Sequence, residues 1–510
     1  MENPYFYRLM QKLLQREKIQ YIVLALFCIP LFFINIQDTH NYGDDWTQYL
    51  KEALNIAEGK PYYSSTYIFN PLNTEYAPPQ YPPGYPLLMA PVVGITGMAI
   101  APLLYLNTVF VCLIIFLAYG YLRRFTGGLN AMCLAIILAY IPVMTELKGA
   151  LLSDIPCTLF TLLYFCLREQ RQRWNLLKLS LLCIVAAFAI LIRTQSAVII
   201  LAELSLLIWN FAGGKKHRNE NLPRYYALLL AAGTVLLLAL SRYMLFPGPG
   251  QSSSFYTSLY TNLWAEGKVW TTLSANMPYL ESHIINIWLF PMHEGFFQAF
   301  VNFIMYSSLL LTFIGLTRMI REGMSLSLLF FLLMCILMVA TPARQGLRYF
   351  LPAVPFALLL MAKGVRAVVP LFSAMSPQTI ALTSFATIML LGFDNYEDKL
   401  RPNTDWSLQQ SDTVAFNFIR RHVDDSDIIL FSKPRLLALY TEKRSMNFSW
   451  QHALAVNKHQ FDSMGVRYVL YCRNISDKIT TDYLWQEPRP YSDSAIINND
   501  YTLYRLSIAP

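Results

Sequence analysis

The chain has 510 residues, 55% of them hydrophobic and only 14% charged, with a mean hydropathy of +0.36. That is too apolar for a soluble globular protein of this length, and its repeated long apolar segments point to a chain that crosses a bilayer many times. The formal charge of +8 is spread over turns instead of gathered in a patch, which argues against a nucleic-acid surface.

In chain order, the first apolar segment runs from Ile19 to Ile34, behind Arg8, Lys12, Arg16 and Lys18. No small-residue cleavage site follows it, so it reads as a retained anchor. Further spans are expected at 101–121, 129–145, 152–167, 176–192, 195–211, 225–246, 297–317, 325–341, 349–362 and 371–391, about eleven crossings in all. The apolar piece 87–98 contains Pro91 and is too short to span, so it reads as re-entrant or interfacial. Arg123-Arg124, Arg168 to Arg173, Lys215 to Arg218, Arg318 to Arg321 and Lys363 to Arg366 fall on one side together with the N-terminus. The positive-inside rule makes that side cytoplasmic. Loops 37–86 and 247–296 and the C-terminal tail then face outward.

The chain divides into a membrane domain, 1–391, whose outer loop 37–86 carries interfacial helices, and a small extracytoplasmic α/β domain, 392–510. In the latter, Val414, Phe418 and Ile419 mark a helix within Trp406 to Val423. Asp427 to Phe431, Val466 to Tyr471 and Tyr501 to Leu506 read as strands, and Ser432-Lys433-Pro434 as a helix start. Seven of eight cysteines lie in or beside expected spans, where a small buried hydrophobe is their ordinary role, and Cys472 stands alone in the outer domain.

Chemistry is expected at the outward face. Asp44 and Asp45 follow Gly43 just beyond the first span, next to Trp46, and start a helix over Trp46 to Glu58. One aspartate can cap that helix; a pair of carboxylates so close to a membrane marks a reaction or transport site. Asp154 opens the fourth span from the same side, with Pro156 just inside it. The outward cations near spans are Lys148, Arg193, Arg242 and the group Arg344-Gln345-Gly346-Leu347-Arg348-Tyr349. An arginine there can clamp a phosphate through its planar donors. Trp46, Tyr81, Tyr85 and Tyr349 are outward-facing candidates for binding a substrate or for the interfacial belt, and His283 is a further outward-facing candidate.

Taken together these residues resemble the GT-C superfamily of membrane glycosyltransferases, in particular the branch of protein O-mannosyltransferases and the lipid A aminoarabinose transferase. The resemblance is carried by Asp44-Asp45, by Gly59-Lys60-Pro61-Tyr62 and Tyr81-Pro82-Pro83-Gly84-Tyr85-Pro86-Leu87, by Ser153-Asp154, by Arg348-Tyr349-Phe350-Leu351-Pro352 and by Gly465-Val466-Arg467-Tyr468-Val469. It implies a polytopic α-helical GT-C fold and transfer, with inversion, of a sugar from a polyprenyl-phosphate donor to a hydroxyl of a lipid, glycan or protein. Asp44 would be the base, Asp154 and Asp45 would support it, and Arg348, Arg344, Lys148 and Arg193 would hold the donor phosphate. Two departures leave the sugar and acceptor open: Gln80-Tyr81 stands where the aminoarabinose transferase has Glu-Lys, and Asp45 stands where the mannosyltransferases have glutamate. No cofactor is expected. A divalent metal has no support, since His40, His283, Glu281, His293 and Glu294 follow no ligand spacing. A bacterial inner membrane is the expected location. The alternatives are a polysaccharide ligase or oligosaccharyltransferase using a diphosphate-linked donor, and a lipid or glycan transporter.

Overall fold

A computed structural model describes residues 16–72, 78, 80–169, 175–213, 225–246, 261, 264–287, 296–341, 346–372, 409–450, 452–487 and 489–507. Arg8, Lys12, His293, Glu294, Arg344 and the expected last span beyond Phe372 lie outside these residues.

The membrane-type helices begin with α1 (Glu17–Cys28), after which Pro30 starts a short 3-10 turn. Two helices of the outer loop follow, α2 (Asp44–Ala57) and α3 (Gly84–Thr96). Then come α4 (Ile100–Thr126), α5 (Gly128–Tyr140), α6 (Pro142–Lys148), α7 (Asp154–Arg168), α8 (Leu176–Ile192), α9 (Val198–Phe211) and α10 (Tyr226–Leu240). Next are α11 (Val269–Asn286), α12 (Phe296–Glu322), α13 (Leu326–Ala340), a 3-10 turn at Leu347–Ala353 and α14 (Val354–Phe372). The C-terminal segment reads α15 (Gln410–His422), β1 (Ile428–Leu430), α16 (Pro434–Thr441), β2 (Arg444–Met446), α17 (Leu454–Met464), β3 (Val466–Cys472), α18 (Lys478–Leu484), β4 (Tyr491–Ile496) and β5 (Tyr501–Leu506).

Among the described residues five helical stretches are long and apolar enough to cross a membrane, and a sixth is formed if α5 and α6 make one span. That pair bends by 54° where Pro142 ends the hydrogen-bond ladder of α5. Contacts divide the chain into two compact units: Met1–Ile36 with Leu104–Leu245 and Leu263–Pro402, and Gln37–Leu103 with Phe246–Asn262 and Asn403–Pro510.

In the first unit the packing is set by apolar helix faces. Phe165 of α7, Phe330 of α13 and Phe356 of α14 form an aromatic knot with centroid separations of 4.6 to 5.2 Å. α12 and α14 cross where each has a glycine. A Cβ on Gly315 would fall 1.8 Å from the Leu360 carbonyl oxygen, and one on Gly364 would fall 2.0 Å from that of Leu311. Only hydrogen fits at such a crossing. Polar bonds gather one set of helix ends: Arg123 pairs with Glu17, Arg124 donates to the Cys166 carbonyl, Arg366 donates to the carbonyls of Phe125 and Thr126, and Lys363 pairs with Glu322. The N-terminus of α7, the C-terminus of α8 and the turn 347–353 carry the other group of charges.

The second unit joins the outer loop to the C-terminal segment. Its five-stranded sheet has the order β2-β1-β3-β5-β4, parallel across β2, β1 and β3 and antiparallel across β3, β5 and β4. Ile428, Leu430, Val469, Phe448, Phe461, Tyr483 and Leu484 fill its core. The strands at 428–430, 466–472 and 501–506 and the helix at Pro434 follow the sequence pattern; β2 and β4 are additional, one only three residues long and the other exposed beyond Tyr491. Loop residues 66–68 extend the sheet beyond β2: the Ile68 N–H donates to Ser445 O at 2.8 Å and the Ser445 N–H to Thr66 O at 3.2 Å. Farther on, Asn70 Nδ2 donates to Asn447 O and Ser449 Oγ donates to Leu72 O, both at 2.8 Å.

Candidate functional site

The first-unit charges centre on Asp154, which is fully buried at the start of α7. Arg193 follows the last turn of α8 in extended conformation, and this turns its side chain back to the carboxylate: Nη1 lies 2.5 Å from Asp154 Oδ1 and 3.4 Å from Ser153 Oγ. Arg348 Nε lies 3.6 Å from Asp154 Oδ2. The turn that delivers Arg348 begins at Gly346, whose φ of +72° suits glycine, and the Gly346 N–H donates to Tyr279 Oη at 2.8 Å. The Arg193 guanidinium also lies over the Tyr349 ring, 4.2 Å from its centroid, and Gln195 Nε2 donates to Tyr349 O at 3.3 Å. One buried carboxylate thus serves two guanidinium groups. Arg348 keeps a quarter of its side-chain surface exposed while Arg193 keeps a tenth, so Arg348 is the cation better presented to an incoming anion.

Lys148 does not carry its charge toward an open surface. It is fully buried at the end of α6, where its ammonium donates to Ile34 O and to Thr108 Oγ1. His283 lies in α11, with its side chain outside the described residues.

The second-unit cluster is built on α2. Gly43 precedes the helix in an extended conformation with no side-chain cap, so Asp44 and Asp45 occupy the first turn, where the helix dipole favours negative charge. Asp44 is nearly buried, and its Oδ1 accepts the Leu436 N–H at 3.3 Å. That amide is in the first turn of α16, whose N-cap residue Lys433 makes no side-chain cap bond and whose first residue is Pro434. A carboxylate from α2 therefore serves an amide that the helix cannot satisfy internally. Asp45 is more exposed; its Oδ1 accepts Tyr81 Oη–H at 2.7 Å and lies 3.8 Å from Arg435 Nη1. Asp45, Gln48 and Glu52 share a helix face, and Tyr81 is fixed at both ends of that stripe: its N–H donates to Glu52 Oε1 at 2.9 Å. Gln48 Nε2 donates to the same oxygen at 2.8 Å. Glu52 is completely buried, and desolvation pushes its carboxyl up to about 8 despite those donors and the nearby Arg435.

The aromatic candidates divide by what they touch. Tyr81 stacks on Tyr49 at 4.4 Å and bears the hydroxyl just described. Tyr85 is buried edge-on to Tyr49 at 5.2 Å, and Trp46 is buried against His40 at 4.6 Å with its indole N–H on Asn41 O. Tyr349 lies under Arg193 in the first unit. Sequence reasoning omitted Glu52, Arg435 and Tyr279. Glu52 could have been found from its i, i+7 spacing to Asp45; Arg435 and Tyr279 carry no local signal, because their partners lie far away in the chain. Among the described residues no group of three or more His, Cys, Asp or Glu side chains gathers at metal-binding distance.

The architecture is a GT-C fold, a polytopic helical membrane part with a small C-terminal sheet domain. Residues 80–241 match the family described as dolichyl-phosphate-mannose-protein mannosyltransferase. The chain is similar in structure to the apo oligosaccharyltransferase of Archaeoglobus fulgidus, with a TM-score of 0.59 and 13% identity over 90% of this chain and 70% of that one. It is similar also to ArnT from Cupriavidus metallidurans bound to undecaprenyl phosphate, with a TM-score of 0.53 and 11% identity over 96% of this chain and 98% of that one. The A. fulgidus oligosaccharyltransferase AglB in complex with an inhibitory peptide and a dolichol-phosphate gives 0.54 and 11% over 88% and 68%. No curated protein matches by sequence.

Proposed function

We propose that this chain is an inverting glycosyltransferase that moves a sugar from a polyprenyl-phosphate donor to a hydroxyl of a lipid, glycan or protein, at the outer face of a bacterial inner membrane. The observation that carries the reading is the Asp154, Arg193, Arg348 and Tyr349 cluster at the helix ends of a GT-C fold. Its two guanidinium groups, with Arg348 partly exposed, suit a phosphate that gains charge as it leaves. The size match to ArnT, whose structure holds undecaprenyl phosphate, favours a monophosphate donor.

In this reading the acceptor oxygen attacks the anomeric carbon, its proton passes to the Asp44 carboxylate, and the carbon–oxygen bond to phosphate breaks. Both electrons of that bond go to polyprenyl phosphate, whose charge Arg348 and Arg193 offset. A positioned carboxylate can take that proton as general base. Asp154 holds the two arginines in register. Arg344, four residues before Arg348 in the sequence, is a further candidate for the phosphate in this reading.

A diphosphate-linked donor is the second reading, favoured by the TM-score of 0.59 to an oligosaccharyltransferase. The deciding experiment supplies the purified protein in nanodiscs with radiolabelled polyprenyl-phosphate and polyprenyl-diphosphate sugars and a membrane extract as acceptor, beside Asp44→Asn and Asp45→Asn. Transfer from the monophosphate that is lost in Asp44→Asn, with donor binding kept, supports the proposal. Transfer from the diphosphate alone moves the chain to the second reading. A wild-type protein that uses neither donor sinks both.

A further inference from the structure

Arg435 is 2% exposed, and it sits in the first turn of a helix of the C-terminal segment. Its guanidinium turns to the outer loop: Nη1 donates to Tyr81 Oη at 3.3 Å and lies 3.8 Å from Asp45 Oδ1, and Nη2 donates to Pro78 O. The planar group also lies over the rings of Tyr67 and Tyr81, at 5.0 and 5.2 Å from their centroids. The next residue, Leu436, gives its backbone N–H to Asp44. Two consecutive residues of α16 therefore grip two consecutive carboxylates of α2, one through a side chain and one through the backbone. A buried arginine is costly to desolvate, and a residue needed only for packing would be served as well by leucine or methionine.

We propose that Arg435 is a positioning residue for the acidic pair: with the Leu436 amide it fixes the direction of Asp45 and Asp44, so that the C-terminal segment sets the geometry of the base. This rests on the glycosyltransferase reading above. The charge on Arg435 offsets the repulsion between the neighbouring carboxylates, and its stacking on Tyr67 and Tyr81 prevents the start of α2 from turning. The side chain binds no substrate in this role; it acts through Asp44 and Asp45.

The test uses full-length protein in nanodiscs with Arg435→Met and Arg435→Lys. Hydrogen exchange is followed over segments 41–52 and 78–86, and over strands 466–472 and 501–506 as a control. The Met variant is expected to raise exchange in the first two segments and leave the strands unchanged. Its kcat should fall at least about tenfold with the KM for the lipid donor within about twofold, the pattern of a lost transition-state interaction. Lysine restores the charge without the planar fork, so it should recover part of that loss. Unchanged exchange over 41–52, or exchange that rises equally in the strands for both variants, overturns the proposal. So does a Lys variant no better than Met. If wild-type protein transfers no sugar, the functional reading falls, while the exchange comparison still decides whether Arg435 orders the acidic pair.

Discussion

The guanidinium of Arg193 lies over the ring of Tyr349, 4.2 Å from its centroid. The same guanidinium bonds Asp154 at 2.5 Å, so its plane is fixed by a ring face on one side and a carboxylate at its edge. Lysine has neither the plane nor the fork. Arg193→Lys should therefore reduce transfer at least about tenfold although the charge is kept. Tyr349→Leu should lower the thermal midpoint, and a double-mutant cycle with Arg193→Met should give a coupling of about 0.5 to 2 kcal/mol. Additive effects would mean that the stacking contributes nothing.

Asp154 is expected to be the least tolerant residue of its cluster. It is fully buried and faces two arginines, so Asp154→Asn leaves two cations without the carboxylate they share. Losing one partner of a buried pair costs roughly 3 to 5 kcal/mol. The variant should show a much lower thermal midpoint in detergent and no detectable transfer. Asp154→Asn with Arg193→Met, which restores the local charge balance, should recover stability without recovering activity. Recovery of both would remove Arg193 from the phosphate-binding group.

Tyr81→Phe tests the link between Asp45 and Arg435 without disturbing packing. The ring stays stacked on Tyr49 and the backbone N–H stays on Glu52, while the hydroxyl shared by Asp45 and Arg435 is lost. A hydrogen bond to a charged group contributes about 1.5 to 3 kcal/mol, so the thermal midpoint should fall by a few degrees. An unchanged midpoint would show that the Asp45 to Tyr81 bond adds nothing to the fold.

Much of this arrangement is legible in the order of residues along the chain. Asp154, Arg193, Arg348 and Tyr349 stand at ends of apolar segments, so hydrophobic periodicity alone puts them at helix termini, and those termini meet. The helix starting at Asp44 follows from Gly43 and the acidic first turn. Other parts are hidden for physical reasons. α11 lies in a stretch whose apolar residues are broken by Pro278 and by polar side chains, so it gives weak helical periodicity. Lys148 reads as an interfacial cation, yet it is buried because Ile34 O and Thr108 Oγ1 satisfy its ammonium. The grip of α16 on α2 joins residues more than 350 positions apart, and a turn signal such as Ser432-Lys433-Pro434 predicts the helix without its partner.

Two buried groups, Glu52 within α2 and His40 just before it, should give the protein opposite pH responses. Glu52 titrates at about 8 in the folded chain against an ordinary 4.5, so the folded state holds a proton that the unfolded state has released between those values. Stability then falls as pH rises from 4.5 to 8, by on the order of 5 kcal/mol, and is flat beyond. His40 is held down to about 4 from 6.5 by burial, against the opposing bond of its Nδ1 to Asn41, so the unfolded state takes up a proton first. Stability is therefore lost as pH falls from 6.5 to 4, by on the order of 3 kcal/mol. The slopes oppose each other between 4.5 and 6.5, where the wild-type thermal midpoint should change little. Glu52→Gln keeps the acceptor for Tyr81 N–H and removes the titration, so its midpoint should climb up to pH 6.5 and exceed wild type increasingly toward pH 8. His40→Phe keeps the ring against Trp46 and should instead show a midpoint that falls steadily from pH 4.5 to 8. Midpoints taken at half-unit intervals check both slopes. Parallel curves for wild type and Glu52→Gln would show that Glu52 is ionised throughout, and that Gln48 and Tyr81 outweigh its burial.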